Sequence, residues 1–413
     1  MKESDQKMED SLSDVKKGRK PLGIYLHIPF CVRKCLYCDF LSFPAGEELK
    51  DTYVQALLTE IGAQAPLYED FEVETVFFGG GTPSLLRNGQ IALLLEKLAA
   101  CFHLRPEAEM EITLEANPGT VTGEGLRGFR RAGVNRLSLG LQSADGEELR
   151  RLGRIHDWQD FLLSFEQAGG AGFSNINVDL MSALPGQTMD SWRNTLEKVT
   201  ALEPAHISAY SLIVEEGTPF YEMYGGEKRE DVAPLPGEEE DRLMYAATKR
   251  FLSGRGYERY EISNYARSGF ACRHNISYWK RRDYAGFGLG AASLRENVRW
   301  KNTAHMDTYL KKAGEEGLRT PLKEEFVPLT VQEQMEEFMF LGLRMGEGIS
   351  CAEFEEAFGK SPEEIYEKSL RKLMKEGLLR RVRQRKGGRE EVRLQLTDPG
   401  IDVSNYALAE FLF

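Results

Sequence analysis

Three cysteines packed into eight residues carry the strongest chemical signal in this chain. They lie in His27-Ile-Pro-Phe-Cys31-Val-Arg-Lys-Cys35-Leu-Tyr-Cys38-Asp39-Phe40, with gaps of three and two residues between thiols. A single loop so spaced wraps three corners of an iron–sulfur cube and leaves the fourth iron open to a small chelating molecule. The alternative is structural zinc, which needs four closed ligands. A fourth would have to come from His27, Cys101 or Cys272, and none has a second ligand at the usual C-x2-C spacing. A disulfide framework does not suit: the remaining cysteines are scattered, and a chain of 413 residues buries a large core without cross-links.

A loop of this kind needs a scaffold, and the pattern around it supplies one. From residue 21 to about 260, short β-branched runs alternate with longer amphipathic stretches. Strands are expected at 23–28, 75–78, 110–114, 136–139, 176–180 and 206–212. Helices are expected near 47–64, 84–101, 121–132, 158–169, 188–201 and 237–254. In the second helix Ile91, Leu94, Leu95 and Leu98 recur at the i, i+3, i+4, i+7 spacing of one buried face. Six βα units in series imply an α/β fold with a parallel sheet and outer helices, either a partial (β/α)6 TIM-like barrel or an open doubly wound sheet. Residues 1–20 read as a disordered polar tail and 21–260 as the barrel. Residues 261–325 read as a barrel extension rich in Gly, Tyr and Trp. Residues 326–413 read as a helical, winged-helix-like domain with a hairpin, 378–385 and 391–396, around Gly387-Gly388.

Unusual polar groups stand where the expected strands end. Gly79-Gly80-Gly81-Thr82-Pro83 follows the second strand, Glu115 the third, Gln142 the fourth, and Asp179 ends the fifth. Glycines there let backbone approach a ligand closely or simply make a tight turn. Each polar residue alone reads as a cap or a satisfied loop residue. Together, at one end of a βα barrel, they favour a site.

The C-x3-C-x2-C spacing, with Tyr37 before the third cysteine, resembles the radical S-adenosylmethionine (radical SAM) superfamily. The resemblance covers nearly all of the chain beyond residue 20 and is closest to the HemN/HemW group. It rests on residues 25–31 (YLHIPFC), 79–84 (GGGTPS), 133–143 (GVNRLSLGLQS), 184–188 (LPGQT) and 260–266 (YEISNYA). It implies that Cys31, Cys35 and Cys38 hold a [4Fe–4S] cluster. It also implies that Tyr25, Gly80, Gly81, Thr82, Glu115, Gln142, Arg154 and Asp179 contact SAM. In such proteins the open iron chelates SAM, and the reduced cluster cleaves it to a 5′-deoxyadenosyl radical.

The group contains an oxygen-independent coproporphyrinogen III oxidase and a heme chaperone. The oxidase continues its motif with a further cysteine, where this chain has Phe40, and carries a longer arm ahead of its cysteines. Cys272-Arg-His274-Asn275-Ile-Ser-Tyr278-Trp279 resembles the H-N-x-x-Y-W motif of the chaperone branch. That resemblance implies heme contact by His274, Asn275, Tyr278 and Trp279, with Cys272 an outside candidate. Read from the residues alone, a lone His beside Tyr and Trp is instead a packed, hydrogen-bonded side chain. The resemblance therefore implies a heme chaperone that binds cluster, SAM and heme, with a heme acceptor apoprotein and a reducing electron donor as partners. Oxidative decarboxylation of coproporphyrinogen is the alternative.

Charge and hydropathy exclude other classes. A net charge of −12 argues against nucleic acid as the main ligand, so the basic run Arg380, Arg381, Arg383, Arg385, Lys386, Arg389 and Arg393 is expected to be a solvated hairpin or protein-docking surface. No apolar run approaches the roughly 20 residues of a membrane span, which leaves only peripheral membrane contact. The N-terminal stretch lacks the apolar core of a secretory signal, so a cytoplasmic protein is expected. Gly286-Phe-Gly288-Leu-Gly290 lacks the third glycine spacing of a dinucleotide fingerprint and reads as close backbone packing near the SAM site.

Overall fold

The computed structural model describes residues 18–226, 229–317, 320, 322–386 and 389–413. The expected polar tail up to residue 17, and the hairpin tip Gly387-Gly388, lie outside the described residues.

Six parallel strands form the scaffold: β1 (Lys20–Ile28), β2 (Phe71–Gly80), β3 (Glu111–Ala116), β4 (Arg136–Gln142), β5 (Asn175–Ser182) and β6 (His206–Ser211). They neighbour one another in chain order, each parallel to the next. This is the TIM-like partial barrel. The sheet continues beyond both ends. Tyr284–Phe287 pairs in parallel with β1 and so adds a seventh parallel strand from the segment read as an extension. Ala292–Arg295, Val298–Asn302 and Lys323–Pro328 then follow antiparallel, and Asn264–Ala266 pairs antiparallel with β6.

Alternation along each strand divides the molecule. In β1, Leu22, Ile24, Leu26 and Ile28 are buried in the main hydrophobic core, shared with the outer helices. In β5, Ile176, Val178 and Leu180 do the same. The residues between them (Gly23, Tyr25 and His27; Asn177 and Asp179) project to the other face, as period-two geometry requires. The barrel interior is therefore polar and its outside apolar.

The helices seal that apolar outside. In Asn88–Cys101 the four residues of the expected stripe are all buried, each stabilising by about 2 kcal/mol as an upper estimate. Starts are fixed by caps: Thr122 accepts from the Gly125 N–H, Asp157 from Gln159 and Asp160, and Thr188 from Ser191.

A second hydrophobic core, including Met339, Phe354, Leu370, Leu373 and Leu394, organises the C-terminal part. Helices Val331–Gly342, Cys351–Phe358 and Pro362–Lys375 precede the hairpin Leu379–Lys386 and Arg389–Leu396, to which Ile349–Ser350 adds a short third strand. It is tied to the barrel part by charge: Arg281 and Arg299 reach Glu337 at 2.8 and 2.7 Å, and Arg242 pairs with Asp402. Of the basic run, Arg393 is buried on the Glu347 and Gly348 carbonyls and Glu391, and Arg381 pairs with Glu363. Among the described residues no helix is long and apolar enough to cross a membrane.

Candidate functional site: a cysteine-lined cavity at the barrel mouth

A cavity of about 330 Å³ opens at the carboxyl ends of the strands. Cys31, Cys35 and Cys38 all line it, from the loop after β1. All three are free thiols and partly exposed. Burial, as the leading influence, pushes the Cys38 thiol above its ordinary value, and Cys35 and Cys31 beside it add to the shift. The Thr82 hydroxyl donates to the Cys31 sulfur at 3.5 Å.

The three candidate fourth zinc ligands stand elsewhere. His27 is buried with one ring nitrogen on the Tyr25 hydroxyl and the other on the Leu41 carbonyl. Cys272 donates to Glu111, and its thiol is pushed up to about 12, chiefly by burial. Cys101 ends the helix Asn88–Cys101. Among the described residues no three His, Cys, Asp or Glu side chains gather tightly enough to hold a single ion. Three thiols spread along one loop, facing one cavity, fit a cube whose corners are separate metal atoms better than one tetrahedral ion.

Six of the eight residues tied to SAM by resemblance share that wall: Gly80, Gly81, Glu115, Gln142, Arg154 and Asp179. Their placement has local causes. Gly80 has φ of +110°, and a Cβ there would meet the His27 ring at 2.5 Å; at Gly81 it would meet the Phe30 carbonyl oxygen at 2.6 Å. Only glycine lets this backbone run beside the cysteine loop. A register shift between Gly140 and Gln142, with φ of +71° at Gln142, turns the Gln142 side chain into the cavity. There the Tyr210 hydroxyl donates to its Oε1 at 3.3 Å. Glu115 accepts from the Gly80 N–H at 3.1 Å. Burial first, and the Asp179 charge second, push its carboxyl up to about 8. Asp179 accepts from Ser138 at 2.9 Å and from Asn177 at 2.8 Å.

Two expected residues do not line the cavity. Tyr25 stacks on Phe77, with ring centroids 6.2 Å apart. Thr82 is buried behind the wall, donating to Cys31 and accepting from Asn117 at 2.8 Å. Asn117 was not singled out from the sequence, although it stands two residues after Glu115. It holds Arg154 at 2.8 Å, while the other arm of that guanidinium donates to the Tyr37 hydroxyl at 3.0 Å. Tyr210, Ser208 and Asn264 also line the cavity without having been identified. Asn264 lies within the YEISNYA stretch, which carried resemblance but no assigned role.

The 274–279 segment does not present one surface. It forms a short helix, Arg273–Trp279, set into the barrel floor. Glu111 caps it, accepting from the Arg273 and His274 N–H groups at 3.0 Å each. His274 is 1% exposed. One of its ring nitrogens is 2.8 Å from the Thr75 hydroxyl and the other 2.9 Å from the Tyr278 hydroxyl. Its pKa is lowered to about 3, mainly by burial, so the ring is neutral. Asn275 faces the cavity, and Trp279 stacks under Arg344 at 4.6 Å. Gly288, from the glycine-rich decoy, is a site of close packing as expected: a Cβ there would meet the Tyr53 hydroxyl at 2.6 Å and the His27 carbonyl at 2.7 Å.

Comparison with known proteins gives a consistent result. A model of the radical SAM superfamily matches residues 25–199, and one of the HemN C-terminal domain matches residues 329–403. The chain is 36% identical over 397 residues to the heme chaperone HemW of Lactococcus lactis subsp. lactis, covering 95% of this chain and 98% of that one. It is 34% identical over 389 residues to HemW of Bacillus subtilis, covering 94% and 98%. Against HemW of Escherichia coli it is 42% identical over 274 residues, 66% of this chain and 69% of that one. Among solved structures, coproporphyrinogen III oxidase (HemN) from Escherichia coli superposes with a TM-score of 0.79 at 24% identity, covering 98% and 93%. That likeness speaks to the fold alone.

Proposed function

The chain belongs to the HemN/HemW group of the radical SAM superfamily, and from that premise we propose that it is a heme chaperone. It binds a [4Fe–4S] cluster, SAM and heme, and delivers heme to an acceptor protein. One observation carries the cofactor part of this reading: the three thiols of one loop open onto the same cavity as Glu115, Gln142, Arg154, Asp179 and the bare backbone of Gly80 and Gly81. When bound, the cluster supplies a low-potential electron and an open iron for the amino and carboxylate groups of SAM.

The residues then divide the work. Cys31, Cys35 and Cys38 are the metal ligands, with the Thr82 hydroxyl steadying Cys31. Arg154, fixed between Asn117 and Tyr37, offers a cation to the carboxylate end of SAM. Asp179, held by Ser138 and Asn177, is an acceptor for ribose hydroxyls. Glu115, with its carboxyl raised to about 8, is neutral near pH 7, and a cationic ligand beside it favours loss of its proton. Tyr25 acts through the wall, packed on Phe77.

His274, Asn275, Tyr278 and Trp279 are heme contacts by family resemblance. A bond from His274 to heme iron has to release Thr75 or Tyr278, since both ring nitrogens are engaged. The acceptor is a hemoprotein apoprotein, the reductant a separate donor, and the working compartment the cytoplasm.

The test is an anaerobic assay of reconstituted protein loaded with heme and given an apo-hemoprotein, alongside an assay with coproporphyrinogen III. Heme transfer without vinyl-group formation is expected. Robust decarboxylation would overturn the chaperone reading in favour of the oxidase.

A further inference from the structure

Around the cysteine loop stand exposed residues to which the proposed function gives no part in holding cluster or SAM. Val32 is 54% exposed and Phe40 60% exposed. Between them in sequence, Arg33 and Lys34 are exposed and pair with no carboxylate among the described residues. Arg33, Lys34 and Phe40 line the rim of the main cavity. Val32 borders an adjoining recess, which shares Arg33, Cys35 and Arg154 with the main cavity, and across it stands Ile155, 56% exposed.

An isolated exposed apolar side chain needs no explanation. Three around two adjoining openings, with two unpaired cations in a chain of net charge −12, form an amphipathic rim. Its chemistry is specific. A ligand that covers it must be apolar, extended over several side chains, and anionic at one edge. Heme meets each condition: a flat apolar macrocycle bearing two propionate carboxylates on one side. Phe40 supplies the largest apolar surface on the rim, as aromatic rings pack well on a porphyrin face. Arg33 and Lys34 suit the propionates.

We propose that this rim is a heme-landing surface. The macrocycle rests on Val32, Phe40 and Ile155, and the propionates pair with Arg33 and Lys34. The inference rests on the heme-chaperone reading and adds a place to it: heme arrives on the rim of a cavity whose wall includes Asn275, and not at the buried ring of His274.

The test uses the full chain, anaerobically reconstituted, titrated with heme and separately with heme dimethyl ester, whose propionates are masked. Reversing both cations (Arg33→Glu with Lys34→Glu) is expected to weaken heme by about tenfold or more, two attractive pairs becoming repulsive. The same variant binds the ester as the parent does. Phe40→Ser is expected to weaken heme and ester alike, with iron, sulfide and SAM affinity retained. Ile155→Ser, outside the cysteine loop, repeats the apolar test should a loop variant fail to take up its cluster. Heme titrations unchanged in all three variants, or lost only in His274→Ala, would overturn the rim. A parent chain that binds no heme at all would defeat the chaperone reading and the rim together.

Discussion

The mouth and the floor of the barrel are both polar, yet they spend their hydrogen bonds differently. At the floor most groups are partnered within the protein, the buried Arg136 Nε being an exception. His206 donates from Nδ1 to Asn177 at 2.6 Å and accepts from Tyr260 at 2.8 Å, and Tyr260 in turn accepts from the Cys272 N–H. Glu111 takes three donors from residues 272–274, and Arg136 lies buried among Glu111, Asp179, Cys272 and Tyr260. At the mouth the thiols, Gly80, Gly81, Gln142 and Arg154 face a cavity. Burial alone therefore does not locate a site. Unspent hydrogen-bonding and ligating capacity around a cavity does.

That contrast is open to attack by mutation, beginning with the largest effect. Cys35→Ala at the mouth is expected to abolish the absorption near 400 nm and the bound iron and sulfide of reconstituted protein, while far-ultraviolet circular dichroism is unchanged. Retained cluster would remove Cys35 from the ligand set. Arg136→Ala at the floor should cost about 3–5 kcal/mol in denaturant unfolding, because it leaves buried carboxylate charge uncompensated. Gln142→Ala at the mouth should cost only about 1 kcal/mol while weakening SAM. Equal stability losses at the two positions would erase the distinction.

A third test uses pH. The neutral form of Glu115 is favoured in the folded chain, with a pKa of about 8 against the ordinary 4.5. Its contribution to stability is fullest below the ordinary value and is lost as pH rises through about 8. Glu115→Gln should therefore gain relative to the parent as pH is raised across that window, read as a difference in melting temperature. A constant difference would mean that Glu115 titrates normally. The smallest effect is expected on the hairpin: Arg381→Ala breaks an exposed pair with Glu363 and should change stability by about 0.5 kcal/mol or less. A loss of several kcal/mol would show that the hairpin surface is more than solvated charge.

Much of the scaffold was legible because its signals are local. The stripe Ile91, Leu94, Leu95, Leu98 marks its helix, and the barrel strands lie at short apolar runs, β-branched in most but leucine-based in Arg136–Gln142. The cysteine trio needs only sequence spacing. The floor was not legible, for a physical reason: in Ile176-Asn177-Val178-Asp179-Leu180 the alternation reads as one dry face and one wet face. In this barrel the apolar face packs outward on helices, and the polar face turns inward, where it finds partners from distant strands. The Asn177–His206 and Glu111–Cys272 bonds join residues 29 and 161 positions apart, a pairing no local pattern contains. Asn117 escaped because its task is to hold Arg154 and Thr82, and its type and position alone read as an ordinary turn. Phe40 was noted only as the cysteine it replaces; its exposure on the rim emerged from the fold.

The most direct measurement is metal and sulfide analysis of anaerobically reconstituted protein, followed by electron paramagnetic resonance of the reduced sample with and without SAM. A cluster held by Cys31, Cys35 and Cys38 gives about four iron and four sulfide per chain, and a signal that shifts when SAM is added. Protein that takes one zinc per chain, refuses iron and sulfide, and shows no SAM-dependent signal would contradict it.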